Sequence, residues 1–231
     1  PSCYLVDVFR KFDLEARWIF NFVQLDQFRW RERNPLRPSF LSNRNFEAHY
    51  NVKCVLKAFQ LIQQRFSSAR LLIAGDGPER DALNRLSQEL NLQEVTFLGT
   101  VTQEEMANLY DSTDIYLNCS DIDNMPGSII EAFACGLPVV TTNAGGIPYI
   151  VTDGQTGLLA NCGDYQAIAN NAIRLLEQPE LAQVIIRQAF RECDKYQWQS
   201  VRKQWLDTYS DLARADTATS SQFATASKEK L

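Results

Sequence analysis

The sequence has a single histidine, His49, and its six cysteines lie far apart without a C-x-x-C pair. A zinc site needs several Cys or His ligands at close spacing, and a disulfide scaffold needs a short, cysteine-rich chain. Neither kind of site is indicated. We interpret the cysteines as reduced thiols, which are typical of a cytosolic protein.

Long apolar runs and clusters of basic residues are also missing. No segment approaches the roughly 20 apolar residues that span a bilayer, and the amino terminus lacks the layout of a signal peptide. The net charge of −5 disfavours a nucleic-acid partner, which requires clustered Lys and Arg. We therefore expect a cytoplasmic protein without a transmembrane segment, and a peripheral contact at a membrane surface stays open.

Short apolar runs alternate with helical stretches from residue 38 onward, a pattern typical of βαβ units. Strands are predicted at 38–44, 70–78, 95–99, 114–120, 137–142 and 156–160, and helices lie between and after them. The sequence thus predicts an α/β fold with a doubly wound, mostly parallel six-stranded sheet of Rossmann-like type. Its ligand should bind beyond the carboxyl ends of the strands.

Four segments follow from this pattern. Residues 38–198 form the predicted ligand-binding domain, and 199–215 form a closing helix. The polar stretch 216–231 contains few large apolar residues and is predicted to be disordered. Residues 1–37 precede the first strand and are the least regular part of the sequence.

Common nucleotide and hydrolase motifs are absent. The sequence has no G-x-x-x-x-G-K-[ST] and no G-x-S-x-G, and GDGPER at 75–80 has Arg80 where a dinucleotide fold needs its third glycine. Ordinary NTPase, serine hydrolase and hydride-transfer chemistry are therefore disfavoured.

The segment DIDNMPGSIIEAFACGLPVV at 121–140 combines two acids with a tight turn and an apolar helix. Asp123 follows the fourth predicted strand, and Glu131 is predicted on the first turn of a helix that begins near Ser128. The backbone of 125–128 should present free N–H groups at the positive end of the helix dipole. A diphosphate on these N–H groups, with Glu131 on a ribose and Asp123 on a second sugar, would make a nucleotide-sugar site.

The stretch D-N-M-P-G-S-I-I-E, followed by AFACGLPVVTTNAGGIP, resembles the acid-x7-acid signature of the retaining glycosyltransferases of family 4. Three further segments are similar to motifs of that family in the same order: LSNR, IAGDGPER and FLGTVTQEEM. The resemblance covers residues 15–213, up to a closing helix rich in Trp and Tyr. It implies the carboxyl-terminal, donor-binding half of the GT-B architecture, in which two Rossmann-like domains face each other across a cleft.

The resemblance also implies roles for the matching residues. Asp123 would bind the transferred sugar, Glu131 the ribose and Arg44 the diphosphate, and these three form the expected catalytic set. The other implied donor-binding residues hold the diphosphate, lie against the nucleobase or form the glycine turn: Asn124, Met125, Pro126, Gly127, Ser128, Thr100, Val101 and Gly75. No metal and no cofactor is expected, since Arg44, backbone N–H groups and a helix dipole would stabilise the leaving diphosphate.

The sequence departs from the family's pattern in three ways. Asp123 is shorter than the usual Glu. Tyr50 and Asn51 stand where the family has Lys and Gly, so a second phosphate cation is missing or replaced by the neutral donor Tyr50, with His49 as a further candidate. The amino-terminal acceptor domain has no counterpart, so we expect residues 1–37 to be the interdomain connection of a longer chain.

The leading hypothesis is the donor-binding half of a retaining glycosyltransferase that moves a sugar from a nucleoside diphosphate to an acceptor hydroxyl. Retention by a front-face route, in which the departing phosphate takes the acceptor's proton, is implied by the resemblance alone. Two alternatives stay open: a nucleotide-sugar binding module that is inactive without another chain, and a GT-B nucleotide-sugar epimerase. The sequence specifies neither the base, nor the sugar, nor the acceptor.

Overall fold

A six-stranded parallel sheet forms the centre of the protein. The computed structural model describes residues 2–226. The strands are β1 (Ser39–Ser42), β2 (Arg70–Ala74), β3 (Val95–Gly99), β4 (Ile115–Asn118), β5 (Val139–Thr142) and β6 (Leu158–Ala160). They lie in the order β3-β2-β1-β4-β5-β6, and every neighbouring pair is parallel. The predicted doubly wound α/β fold is confirmed.

Helices precede, connect and follow the strands. They are α1 (Cys3–Arg10), α2 (Val52–Arg65), α3 (Arg80–Glu89), α4 (Gln103–Ser112), α5 (Gly127–Ala134), α6 (Tyr165–Glu177), α7 (Pro179–Glu192) and α8 (Trp198–Ala226). Short 3-10 turns lie at Ala48–Tyr50, Ile147–Tyr149 and Cys193–Tyr196.

The strand order changes direction at β1, which pairs with β2 on one side and β4 on the other. At such a switch point the two adjacent loops diverge and open a crevice at the carboxyl edge of the sheet. Arg44 follows β1, and Asp123 follows β4. The topology therefore brings together two residues that are far apart in the sequence.

Apolar side chains cover both faces of the sheet, since successive side chains of a strand point to opposite faces. Phe40 and Leu41 of β1 are both fully buried, yet they belong to different hydrophobic clusters. The cluster of Phe40 includes residues of α2 and α6, and the cluster of Leu41 includes residues of α4 and α5. This coverage on both faces fixes the sheet and the positions of its loops.

Residues 11–38 follow the surface of the domain without regular secondary structure. The buried side chain of Arg33 anchors this segment. Its Nε donates to the Thr113 carbonyl at 3.0 Å, and its Nη2 donates to the Tyr110 carbonyl at 2.8 Å. The stretch predicted as an interdomain connection is thus hydrogen-bonded to the end of α4 and the residue that follows it.

Helix α8 continues to Ala226, beyond the boundary predicted at residue 215. Residues 216–226 therefore differ from the predicted disordered tail. They contain neither Gly nor Pro, the two residues that interrupt helices most strongly, and residues 227–231 lie outside the described part of the chain. Among residues 2–226, no helix has both the length and the apolar character needed to cross a membrane.

Candidate active site

The turn that leads into α5 leaves backbone N–H groups unpaired. Helix α5 begins at Gly127, Pro126 occupies its N-cap, and no side chain caps it. Among the hydrogen bonds of residues 2–226, none uses the N–H of Met125, Gly127 or Ser128. Because the first N–H groups of a helix carry the positive end of its dipole, this turn offers donors to an anion.

Two glycines after β5 support this turn from the other side. The Gly146 N–H donates to the Asp123 carbonyl at 2.8 Å. A Cβ added at Gly145 would lie 2.2 Å from the same carbonyl oxygen, and one added at Gly146 would lie 1.8 Å from the Asn124 carbonyl oxygen. Both positions therefore require glycine for the two backbones to touch.

Arg44 and Asp123 form an ion pair at the carboxyl edge of the sheet. Arg44 Nη2 donates to Asp123 Oδ2 at 2.6 Å, and the guanidinium carbon lies 4.0 Å from the centre of the Tyr50 ring. The Nε atom of Arg44 is buried and has no hydrogen-bond partner among the described residues. One N–H of this cation thus lacks an acceptor and is shielded from solvent in this conformation.

Glu131 is the fifth residue of α5 and lies in its second turn. The sequence predicted Glu131 in the first turn of a helix that begins near Ser128. This prediction is wrong because α5 begins one residue earlier, at Gly127. The Tyr110 hydroxyl donates to Glu131 Oε2 at 2.9 Å. No hydrogen bond to Oε1 is found within residues 2–226, so this oxygen can accept one from a ligand.

Burial raises the pKa of both carboxyls. For Asp123, the positive charge of Arg44 opposes the effect of burial without cancelling it. For Glu131, the hydrogen bond from Tyr110 and the charge of Arg44 oppose it, and the pKa is again raised. Folding therefore holds two acids in surroundings that disfavour their charged forms, a feature more common at functional sites than elsewhere.

A series of side-chain hydrogen bonds continues behind Glu131. The Asn43 amide donates to the Tyr110 hydroxyl at 2.9 Å, and the Tyr116 hydroxyl donates to Asn43 Oδ1 at 2.7 Å. The hydroxyl oxygens of Tyr116 and Ser128 are 2.9 Å apart. Sequence reasoning missed Asn43, Tyr110 and Tyr116, since the two tyrosines fit the apolar patterns of α4 and β4.

A cavity of about 460 Å³ opens beside the turn. Most of the predicted donor-binding residues line it, and only Asn21 and Ile122 of its lining were not among the predicted or candidate residues. The full lining is Asn21, Arg44, His49, Tyr50, Ile122, Asp123, Asn124, Met125, Pro126 and Gly127. A separate cavity of about 440 Å³, between residues 22–26 and 197–199, contains none of the predicted residues. The first cavity is therefore the one that Arg44, Asp123 and the turn before α5 line.

The remaining predicted residues, Glu131, Ser128, Thr100, Val101 and Gly75, are not part of the lining of this cavity. Glu131 and Ser128 belong to α5. Thr100 and Val101 follow β3, at the edge of the sheet. Gly75 follows β2 with a φ of +144°, and a Cβ there would lie 2.3 Å from the Arg44 carbonyl oxygen. Gly75 therefore supports the backbone of Arg44.

The described residues contain no group of three or more His, Cys, Asp or Glu side chains that could hold a metal ion. All six cysteines are free. The positive charge beside Asp123 is carried by Arg44.

The part of the chain that carries the site matches a known sequence family. The family "Glycosyl transferases group 1" matches residues 26–192, which include both acids and Arg44. N-acetyl-alpha-D-glucosaminyl L-malate synthase of Bacillus anthracis is 33% identical over 174 residues, which make up 74% of this chain and 45% of that protein.

Solved structures share the fold. Sucrose-phosphate synthase of Thermosynechococcus elongatus matches with a TM-score of 0.81 and 24% identity, over 93% of this chain and 57% of that one. An Anabaena protein in complex with UDP and glucose matches with a TM-score of 0.74 and 20% identity, over 84% of this chain and 56% of that one. The chain spans about half the length of the relatives it matches. By the extent of the sequence match, it belongs to the group 1 glycosyl transferases.

Proposed function

We propose that this chain is the donor-binding half of a retaining glycosyltransferase and binds a nucleoside-diphosphate sugar. The observation that carries the proposal is the turn before α5, where residues with unpaired N–H groups line one cavity together with Arg44 and Asp123, and Glu131 follows in α5 itself. Membership of a glycosyl transferase family supports sugar transfer. The chain's span of about half its relatives supports a role as one of two domains.

The diphosphate would lie on the N–H groups of Met125, Gly127 and Ser128. Arg44 would contribute charge and, once its side chain turns toward the diphosphate, several N–H donors, because a guanidinium offers donors in one plane to phosphate oxygens. These donors are fixed before the reaction, and they stabilise the negative charge that grows on the diphosphate as it leaves. We propose that this arrangement replaces a metal ion.

The two acids would hold the two sugars. Glu131 Oε1 would accept hydrogen bonds from the ribose hydroxyls, while Tyr110 occupies Oε2. Asp123 would accept hydrogen bonds from the transferred sugar after Arg44 turns toward the diphosphate. The bond between the anomeric carbon and the phosphate oxygen breaks, and that oxygen takes the proton of the acceptor hydroxyl. The acceptor oxygen then bonds to the same face of the sugar, and this retention is proposed from the resemblance to family 4.

Isothermal titration with UDP, GDP, UDP-glucose and GDP-mannose tests donor binding. Glu131→Ala should weaken the binding of the preferred nucleotide by roughly 10- to 100-fold, the effect of losing hydrogen bonds to a charged group. Glu89→Ala, an exposed glutamate at the end of α3, is the matched control and should bind as the wild type does. Unchanged affinity in Glu131→Ala would contradict the proposal.

The two alternatives are separated by turnover. A binding module without activity would bind a donor and release no nucleotide with any acceptor. An epimerase would release free nucleotide and an altered sugar in the absence of an acceptor, whereas a transferase requires one. Nucleotide release measured with and without acceptor hydroxyls therefore distinguishes the three functions.

A further inference from the structure

Tyr110 connects the buried interior of α4 with the acid proposed for the ribose. The residue is fully buried, and its hydroxyl lies 2.9 Å from Glu131 Oε2 and 3.1 Å from the Ser128 carbonyl oxygen. Both acceptors belong to α5. A hydroxyl at this position can hold the glutamate side chain and the start of the helix at the same time.

Both the ring and the backbone of Tyr110 are held in place by neighbouring residues. The ring of Phe28 packs edge-on against it with 5.6 Å between the ring centres, and Arg33 Nη2 donates to its carbonyl at 2.8 Å. The Asn43 amide donates to the hydroxyl oxygen at 2.9 Å. Because this oxygen already accepts from Asn43, the hydroxyl proton is directed toward the acceptors on α5.

We propose that Tyr110 is a positioning residue that fixes Glu131 Oε2 and thereby presents Oε1 to the ribose hydroxyls. The inference rests on the proposed function, in which Glu131 binds the ribose. A free glutamate side chain has several rotamers, and ordering it on binding costs affinity. The hydrogen bond from Tyr110 removes part of that cost before the nucleotide arrives. It also favours the ionised carboxylate, the better acceptor, against the effect of burial.

The test compares nucleotides with and without ribose hydroxyls. The probes are UDP and GDP and their 2′,3′-dideoxy analogues, titrated into the wild type, Tyr110→Phe and Tyr196→Phe. Tyr196 is a second buried tyrosine, and its hydroxyl has no hydrogen-bond partner among the described residues. We expect the wild type to prefer the hydroxylated nucleotide by about tenfold or more. Tyr110→Phe should reduce this preference several-fold, and Tyr196→Phe should leave it unchanged.

The pH profile provides a readout that a merely structural role would not change. Charged and titratable groups that interact with Glu131 are Arg44 after β1, Tyr110 of α4, Tyr116 of β4 and Cys135 after α5. Loss of the Tyr110 hydrogen bond should raise the pKa of Glu131 further. As the pH is lowered, the carboxylate of Tyr110→Phe should therefore be protonated first. Its preference for ribose hydroxyls should disappear at a higher pH than that of the wild type.

Each outcome supports or contradicts either the positioning role of Tyr110 or the proposed function. If Glu131→Ala loses the preference and Tyr110→Phe keeps it, the positioning role is wrong and the proposed function stands. Retention of the preference in Glu131→Ala would overturn the proposed function itself. An equal loss of affinity for both kinds of probe in Tyr110→Phe would indicate a structural role only. If Tyr110→Phe does not fold, Asn43→Ala is judged by the same criterion, with a smaller expected reduction.

Discussion

Arg44 Nη2 donates to Asp123 Oδ2 at 2.6 Å, so the proposed phosphate-binding cation and the proposed sugar-binding acid satisfy each other. The side chains of both are mostly buried, with 14% and 9% of their surfaces exposed. A diphosphate that binds at this turn must therefore compete with Asp123 for Arg44. Its arrival would release Asp123 to accept hydrogen bonds from the transferred sugar.

Asp123→Asn tests this exchange. The substitution removes a negative charge beside the proposed diphosphate position and frees Arg44, so UDP should bind at least as tightly as it binds the wild type. The additional affinity of UDP-glucose over UDP should decrease, because Asn is a weaker acceptor for sugar hydroxyls. Titration with both ligands measures the two effects separately. Weaker UDP binding with an unchanged advantage for UDP-glucose would contradict the exchange.

Much of the fold could be predicted from the sequence because local signals agree with the tertiary structure. The apolar run of β4 is buried at every position, as expected for a parallel strand that is covered on both faces. Gly136 lies just past the end of α5 with a φ of +73°, the left-handed conformation in which glycine commonly ends a helix. Helix α8 passed its expected boundary because polar composition alone does not end a helix.

The site was predictable only in part. Asp123 and the N–H groups before α5 come from one continuous segment, and the switch point of the sheet brings Arg44 to them. The contact of Tyr110 with Glu131 depends on how α4 is rotated against the sheet, which no local pattern specifies. The period of an amphipathic helix identifies the buried face, but it does not show which buried hydroxyl meets which carboxylate.

Glu131→Gln should stabilise the fold while it weakens nucleotide binding. Burial raises the pKa of Glu131, so the folded protein binds a proton more tightly than the unfolded chain does. The contribution of Glu131 to the free energy of unfolding is therefore greatest below the ordinary glutamate pKa. It decreases as pH rises through the folded-state pKa. Glutamine carries no charge and can still accept from Tyr110.

Thermal melts across pH check this prediction. The melting temperature of Glu131→Gln should exceed that of the wild type at neutral pH, by about 2–4 °C for each kcal/mol gained in a domain of this size. The difference should shrink as pH falls through the raised pKa toward 4.5, the ordinary glutamate value. A variant that melts below the wild type at neutral pH would show that the ionised carboxylate stabilises the fold.

Gly145→Ala should displace the donor turn. Its φ of +48° is unfavourable for alanine, and the new Cβ would lie 2.2 Å from the Asp123 carbonyl oxygen. Gly163→Ala is a matched control, because Gly163 has a φ of +77° and no atom within 4 Å of a Cβ. Both variants should lose about 1–2 kcal/mol from backbone strain. Only Gly145→Ala should also lose further stability and UDP affinity, as measured by denaturant unfolding and titration.

Tyr50 offers either its ring face or its hydroxyl to the site, and two substitutions separate these roles. The ring centre lies 4.0 Å from the Arg44 guanidinium carbon, so Tyr50→Phe keeps the stacking while Tyr50→Leu removes it. If the ring holds Arg44, Tyr50→Phe should bind UDP as the wild type does. Tyr50→Leu should then bind at least about two- to fivefold more weakly, since a cation–π contact contributes about 0.5–1 kcal/mol even at exposed sites and Arg44 is mostly buried. Equal losses in both variants would instead assign the hydroxyl as the neutral phosphate donor that replaces the family's lysine.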